Sequence, residues 1–182
     1  MNKPKLLIIT GRCGAGKTTL SELMMREYCM PLVSRDRVKE GLVHTSNEVD
    51  NLKATESFFS IIKEYLKLGV SLIAEAAFQH AVWEKFLEDI LPMADAYLII
   101  CTVDPDTALD RFIGRGLTDS NRERFHSDKG VKMFKEGIRL TPSVYAEPNL
   151  GIPTIHVNTE NGYEPSVGEI KEKILGELSQ DY

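Results

Sequence analysis

Gly11-Arg12-Cys13-Gly14-Ala15-Gly16-Lys17-Thr18 stands directly after the apolar run Leu6-Leu7-Ile8-Ile9 and just before a helical spacing of Leu20, Leu23 and Met24. A strand that runs into a glycine turn and then a helix aims several backbone N–H groups, with the positive end of the helix dipole, at one point. That arrangement suits an anion. Gly11, Gly14 and Gly16 carry no Cβ and can take positive φ, so the chain can curl tightly and set its amides against phosphate oxygens. Lys17 offers a flexible point charge for β- and γ-phosphates, Thr18 a hydroxyl of the kind that ligates Mg²⁺, and Thr19 a second hydroxyl near an α-phosphate. Arg12, Cys13 and Ala15 complete a loop expected to bind nucleotide.

Outward from the loop, strand and helix alternate. Met30 to Val33 is a short apolar piece, and a longer helix is expected from about Glu48 to Leu68, with Phe58, Phe59, Ile62, Tyr65 and Leu66 on one face and Gly69 to end it. Val70 to Ala74 reads as a buried strand, Trp83, Phe86, Leu87 and Ile90 as a helix face, and Tyr97 to Val103 as the strongest strand. Asp104-Pro105 has the character of an N-cap and first turn. Ile152 to Val157 is a last strand, and Pro165 is expected to open a final helix through Val167, Ile170, Ile174 and Leu178. Strands separated by helices pair in parallel through right-handed crossovers, which predicts an α/β fold of three layers, a five-stranded parallel sheet with helices on both faces. With no repeat or linker, residues 1–182 read as a single domain, least regular from Gly114 to Ser127.

The composition permits this. A chain of 182 residues, 42% apolar, is long enough to bury a core, and its net charge of −5 carries no basic tail, which argues against broad nucleic-acid binding. Three cysteines and four histidines show no metal-ligand spacing and suggest free thiols in a reducing compartment. The first apolar stretch is too short for a signal peptide or membrane span, so a soluble, cytoplasmic protein without membrane partners is expected.

In parallel sheets of this kind, ligands sit beyond the carboxyl ends of the strands. The second strand is followed by Ser34-Arg35-Asp36-Arg37, the third ends on Glu75, the fourth reaches Asp104 and the fifth Asn158-Thr159. Asp36 is placed either to accept a proton from an attacking hydroxyl or to cap the helix containing Val38 and Leu42. Arg35 and Arg37 flank it and suit an anionic part of an acceptor, or a surface ion pair. Glu75 is placed to orient an acceptor, to hold water around a metal ion, or to finish an apolar strand. From Arg111 to His126, Arg111, Arg115, Arg122 and Arg124 surround Gly114 and Gly116. Arginines on a closing lid stabilise charge on a transferred phosphoryl group, although a solvated helix edge has the same composition. Phe58, Phe59 and the segment Ala76 to His80 are candidates for an acceptor pocket as well as for core.

Taken together, the loop at Gly11 to Thr18, the Arg35-Asp36 pair, Glu75, the Arg111-Phe112-Ile113-Gly114-Arg115-Gly116 stretch and Val157-Asn158-Thr159 look like the P-loop kinase group that includes polynucleotide 5′-hydroxyl kinases, chloramphenicol phosphotransferase and zeta-toxin-like kinases. The resemblance implies the P-loop NTPase fold with a short lid at about residues 111–128, and ATP and Mg²⁺ as cofactors. It casts Asp36 as catalytic base, Lys17 and Arg115 as catalytic cations on the phosphates, Thr18 as the metal ligand, Arg111 near the nucleotide and Asn158 near the adenine. Arg35, Lys39 and Glu75 fall on the acceptor side. Polynucleotide kinases of this group carry an arginine where this chain has Lys39, and lysine lacks the bidentate fork for a nucleic-acid phosphate. A hydroxyl-bearing small molecule is therefore ranked above an oligonucleotide end. The alternative of another class is a nucleotide-binding regulatory protein with slow or incidental hydrolysis.

Overall fold

The computed structural model describes residues 3–46, 50–78, 80–119, 122–126, 129–142 and 144–176. Strand β1 (Lys5–Gly11) is central because Leu6 to Ile9 are apolar toward both faces, and all four are fully buried. It pairs in parallel with β3 (Leu72–Glu75) on one side and β4 (Asp95–Thr102) on the other. β2 (Leu32–Ser34) lies outside β3 and β5 (Thr154–Asn158) outside β4, so the order is β2-β3-β1-β4-β5 with every pair parallel. The expected five-stranded sheet is present.

Alternation along β1 divides the interior. Leu6 and Ile8 face α3 (Asn51–Lys67) and α4 (His80–Ile90) through Phe58, Ile62, Trp83 and Ile90, while Leu7 and Ile9 face α1 (Lys17–Tyr28) and α8 (Val167–Leu175) through Leu20, Met24 and Ile170. Helices α2 (Arg35–Ser46) and α5 (Pro105–Thr118) start at the ends of β2 and β4. The short α6 (Arg122–His126) packs on α2, and α7 (Lys129–Lys135) on α5. Among the described residues, no helix is long and apolar enough to cross a membrane.

Helix ends follow local chemistry. Asp50 caps α3 by accepting the Lys53 N–H. The same helix stops at Gly69, whose φ of 75° lets Val70 N–H reach Tyr65 O at 2.9 Å and Gly69 N–H reach Leu66 O at 3.0 Å. Asp104 caps α5 by accepting the Asp106 and Thr107 N–H groups, both at 3.0 Å, with Pro105 in the first turn.

Some expectations are corrected. The final helix begins at Val167 after a capping box of Ser166 and Glu169, so Pro165 precedes it and does not open it. Gly114 and Gly116 lie inside α5 and not in an irregular stretch. Gly116 is small because α7 crosses there: a Cβ on it would meet Val131 Cγ2 at 2.3 Å. Glu48, Gln79, Leu178, residues 120–121 and 127–128 of the expected lid, and the side chain of Arg124 lie outside the described residues.

Candidate active site

The loop after β1 is held in shape from two sides. Gly11, Gly14 and Gly16 have φ of 146°, 84° and 78°. A Cβ on Gly11 would stand 2.6 Å from Cys101 O, and one on Gly14 1.9 Å from Ala108 O, so only glycine lets the loop press against β4 and α5. Thr159, just past β5, sets its Oγ1 3.0 Å from Ala15 O and 3.2 Å from Thr102 O, tying the loop to the last strand.

The α1 N-terminus that follows has Gly16 in the left-handed region, no side-chain cap and no acid in its first turn, which leaves its amides and dipole for an anion. Lys17, only 8% exposed, donates from Nζ to Arg12 O at 2.8 Å across the loop. This donor set fits a triphosphate. Thr18 stands in the first turn and is half-buried, while Thr19 is exposed. Among the described residues, no group of three or more His, Cys, Asp or Glu has a metal-binding arrangement, so a cation here would rest on the Thr18 hydroxyl and phosphate oxygens.

Beside the loop lies a cavity of about 70 Å³ whose lining includes Lys17 and Thr18, Asp36 from α2, Glu75 from the end of β3, Arg115 from α5 and Arg122 from α6. Ala76 and Ala77 complete its floor. Its volume lies well below the roughly 300–1,000 Å³ of a site for a whole drug-sized ligand, so it has room for reacting groups only. Register explains the meeting of the acids: Ser34 and Glu75 are partners across β2 and β3, and Asp36 follows Ser34 by two residues.

Glu75 is 4% exposed and accepts a 2.7 Å hydrogen bond from Ser34 Oγ. Burial pushes its carboxyl above the ordinary range; the Ser34 hydroxyl and the Lys17 ammonium pull it back, and the Asp36 charge pushes it up again. Asp36 is 53% exposed, with Oδ1 3.6 Å from Arg35 Nη1 and Oδ2 3.9 Å from His126 Nδ1.

Other acceptor-side candidates are placed differently. Arg35 donates from Nη2 to Asn51 O at 3.2 Å and Asn51 Oδ1 at 3.0 Å and lies 6.0 Å over the Phe78 ring, tying α2 to α3. Arg37 points outward to Glu40 and Glu22. Lys39 is buried on α2 outside the cavity lining. Phe58 and Phe59 pack with Phe78, Trp83 and Phe86 in the core and do not form an acceptor pocket. His80 pairs with Glu84 on the surface of α4.

Arg111 and Arg115, one turn apart on α5, divide their work. Arg115 lines the cavity, whereas Arg111 donates to Thr159 O at 3.2 Å and Glu160 O at 3.0 Å, holding the loop after β5. That loop surrounds a hollow of about 350 Å³ lined by Asn158, Glu160, Asn161 and Tyr163, with Asn158 Oδ1 accepting the Glu160 N–H at 2.8 Å. The sequence placed Arg122 among the arginines of the expected lid and Thr159 at the end of the last strand, but not Thr159 as a clamp on the loop or Arg122 as a wall of this cavity. Their places depend on where β5 ends and α6 begins in space, which residue spacing does not encode.

The fold and this cavity define a class. Residues 6–135 match the family described as AAA domain, and the chain belongs to that family. A candidate kinase from Chloroflexus aurantiacus shares the fold with a TM-score of 0.76 at 21% identity, covering 97% of this chain and 100% of the other. A gluconokinase from Sinorhizobium meliloti is similar with a TM-score of 0.55 at 13% identity, over 97% of this chain and 93% of that one. The APS kinase of Mycobacterium tuberculosis, solved with AMPPNP and APS, gives 0.56 at 16% identity over 96% and 97%. No curated protein matches the chain in sequence. The chain is a P-loop kinase-like domain, in agreement with the resemblance carried by its motifs.

Proposed function

We propose that this domain is an ATP-dependent phosphotransferase that moves the γ-phosphate of ATP to a hydroxyl of a small molecule, with Asp36 as the base. The observation that carries this reading is the convergence of Lys17 and Thr18 with Asp36, Glu75 and two lid arginines on one small cavity. An acid placed to orient an acceptor beside the phosphate loop favours transfer over nucleotide sensing alone.

The bound Mg²⁺, held through the Thr18 hydroxyl, would supply charge neutralisation on the phosphates. Lys17 exchanges its bond to the Arg12 carbonyl for phosphate oxygens. Asp36 orients the acceptor O–H and takes its proton as the oxygen attacks phosphorus, and Arg115 meets the charge spread over the moving group. Glu75, tied to Ser34, orients the acceptor from the cavity floor. Arg111 and Asn158 flank the hollow where the adenine end belongs, and Arg35 acts on the acceptor side through its contact with Asp36.

Purified protein with MgATP and a panel of sugars, polyols, amino alcohols, nucleosides and 5′-hydroxyl oligonucleotides, read by ³¹P NMR, tests the assignment. A new phosphate ester on a small alcohol supports it; ester formation only on oligonucleotide ends moves the acceptor class, and equal ATP loss with every compound removes the phosphotransferase reading.

A further inference from the structure

We propose that His126 is a positioning residue for Asp36, and that its ring makes the docking of the lid segment and the aiming of the base one event. The inference rests on the phosphotransferase reading above. His126 ends α6 with its side chain 8% exposed, its Nε2 2.9 Å from Glu40 Oε1 and its Nδ1 3.9 Å from Asp36 Oδ2. One turn of α2 separates the two acids, so a single imidazole spans them. The neighbouring Phe125 is buried and packs its ring 5.3 Å from that of His44 on α2, which fixes the approach of α6.

The donor inventory sets the proton count. Ionised Glu40 only accepts, so the 2.9 Å contact needs a proton on Nε2. A neutral ring with that tautomer would turn a lone pair toward Asp36, which also only accepts. A ring protonated on both nitrogens complements both acids. Asp36, half exposed, gains little immobilisation from packing, yet its two oxygens face different cations, Oδ1 Arg35 and Oδ2 His126. Placed between them, the carboxylate has one ring or guanidinium nitrogen beside each oxygen while it lines the cavity.

The surrounding charges are accounted for. On α2, Arg37 occupies the other oxygen of Glu40 at 3.0 Å and Arg35 is anchored on Asn51. Across the cavity from Asp36 stand Glu75 of β3, Lys17 of α1, Arg115 of α5 and Arg122 of α6. The acids around the ring are thus Glu40 and Asp36, with Glu75 beyond.

The test uses two readouts on the full chain. In ¹H–¹³C spectra, the His126 ring signal, identified by its loss in His126→Gln, is expected to move in Asp36→Asn and in Glu40→Gln; indifference to Asp36→Asn overturns the inference. In acceptor-dependent turnover, His126→Gln is expected to lower kcat about tenfold or more and leave KM for ATP nearly unchanged. An unchanged kcat overturns it while the phosphotransferase reading stands. A wild type without acceptor-dependent turnover removes that reading and this inference with it. A role confined to packing would lower the melting temperature of His126→Gln and leave the wild-type ring signal unmoved by Asp36→Asn.

Discussion

Gly14 lies so close to Ala108 that a Cβ on it would come within 1.9 Å of the Ala108 carbonyl oxygen, and its φ of 84° is one that side chains other than hydrogen adopt at a cost. The phosphate loop is therefore seated against α5, the helix that also carries Arg111 and Arg115. Loop shape and the position of α5 share one contact.

Gly14→Ala is expected to lose at least about 2 kcal/mol of stability, because both the backbone conformation and the seat on α5 are denied. Gly41→Ala, inside α2 with nothing within 4 Å of the added methyl, is expected to gain about 0.5–1 kcal/mol. Urea unfolding of the two variants side by side checks the contrast.

Glu75 ties stability to pH. Its folded carboxyl titrates above the 4.5 of the free group, so between those values the folded state binds more protons than the unfolded one, and stability falls as pH rises through that window. Glu75→Gln keeps the shape and removes the buried charge. It is expected to melt above the wild type at neutral pH, with the difference shrinking as pH is lowered toward 4.5. Thermal melts across this range decide it; a constant difference at every pH would contradict the burial argument.

The cysteines report loop occupancy. Cys13 and Cys29 are exposed, whereas Cys101 is buried beneath the loop and its thiol is pushed up to about 12 by desolvation. Native protein should take up alkylating reagent at Cys13 and Cys29 and spare Cys101, and MgATP should protect Cys13 alone. Mass spectrometry of labelled peptides checks each site.

Arg111→Ala removes both guanidinium bonds that hold Thr159 and Glu160. With the loop after β5 released, KM for ATP should rise about tenfold or more while kcat changes less, since bonds to charged donors are worth about 1.5–3 kcal/mol. Steady-state kinetics against ATP separates the two constants.

Signals that act within a few residues were legible in the sequence. The apolar run Leu6 to Ile9 gave the central strand, Gly69 the end of α3, and Asp104-Pro105 the start of α5, because strand burial, left-handed caps and N-caps depend on neighbours in the chain. Asp36 and Glu75 were legible as strand-end acids, since a parallel sheet delivers every strand end to the same edge. Legibility failed where a side chain's meaning is set by distant partners. Phe58 and Phe59 have the spacing of a helix face, which looks the same turned to a pocket or, as here, to Trp83 and Phe86. Gly116 read as a loop glycine because its partner, Val131, lies on a helix whose approach no local pattern announces. Lys39 carries a charge in sequence and a buried position in the fold, a difference only packing decides.

The central claim is that Asp36 faces the phosphate loop as a base, and the most direct measurement is single-turnover phosphotransfer by Asp36→Asn with saturating MgATP and an accepted alcohol. The asparagine keeps the shape and cannot take the proton, so the transfer step should slow about a hundredfold or more while ATP binding stays close to wild type. Transfer at the wild-type rate would contradict the account.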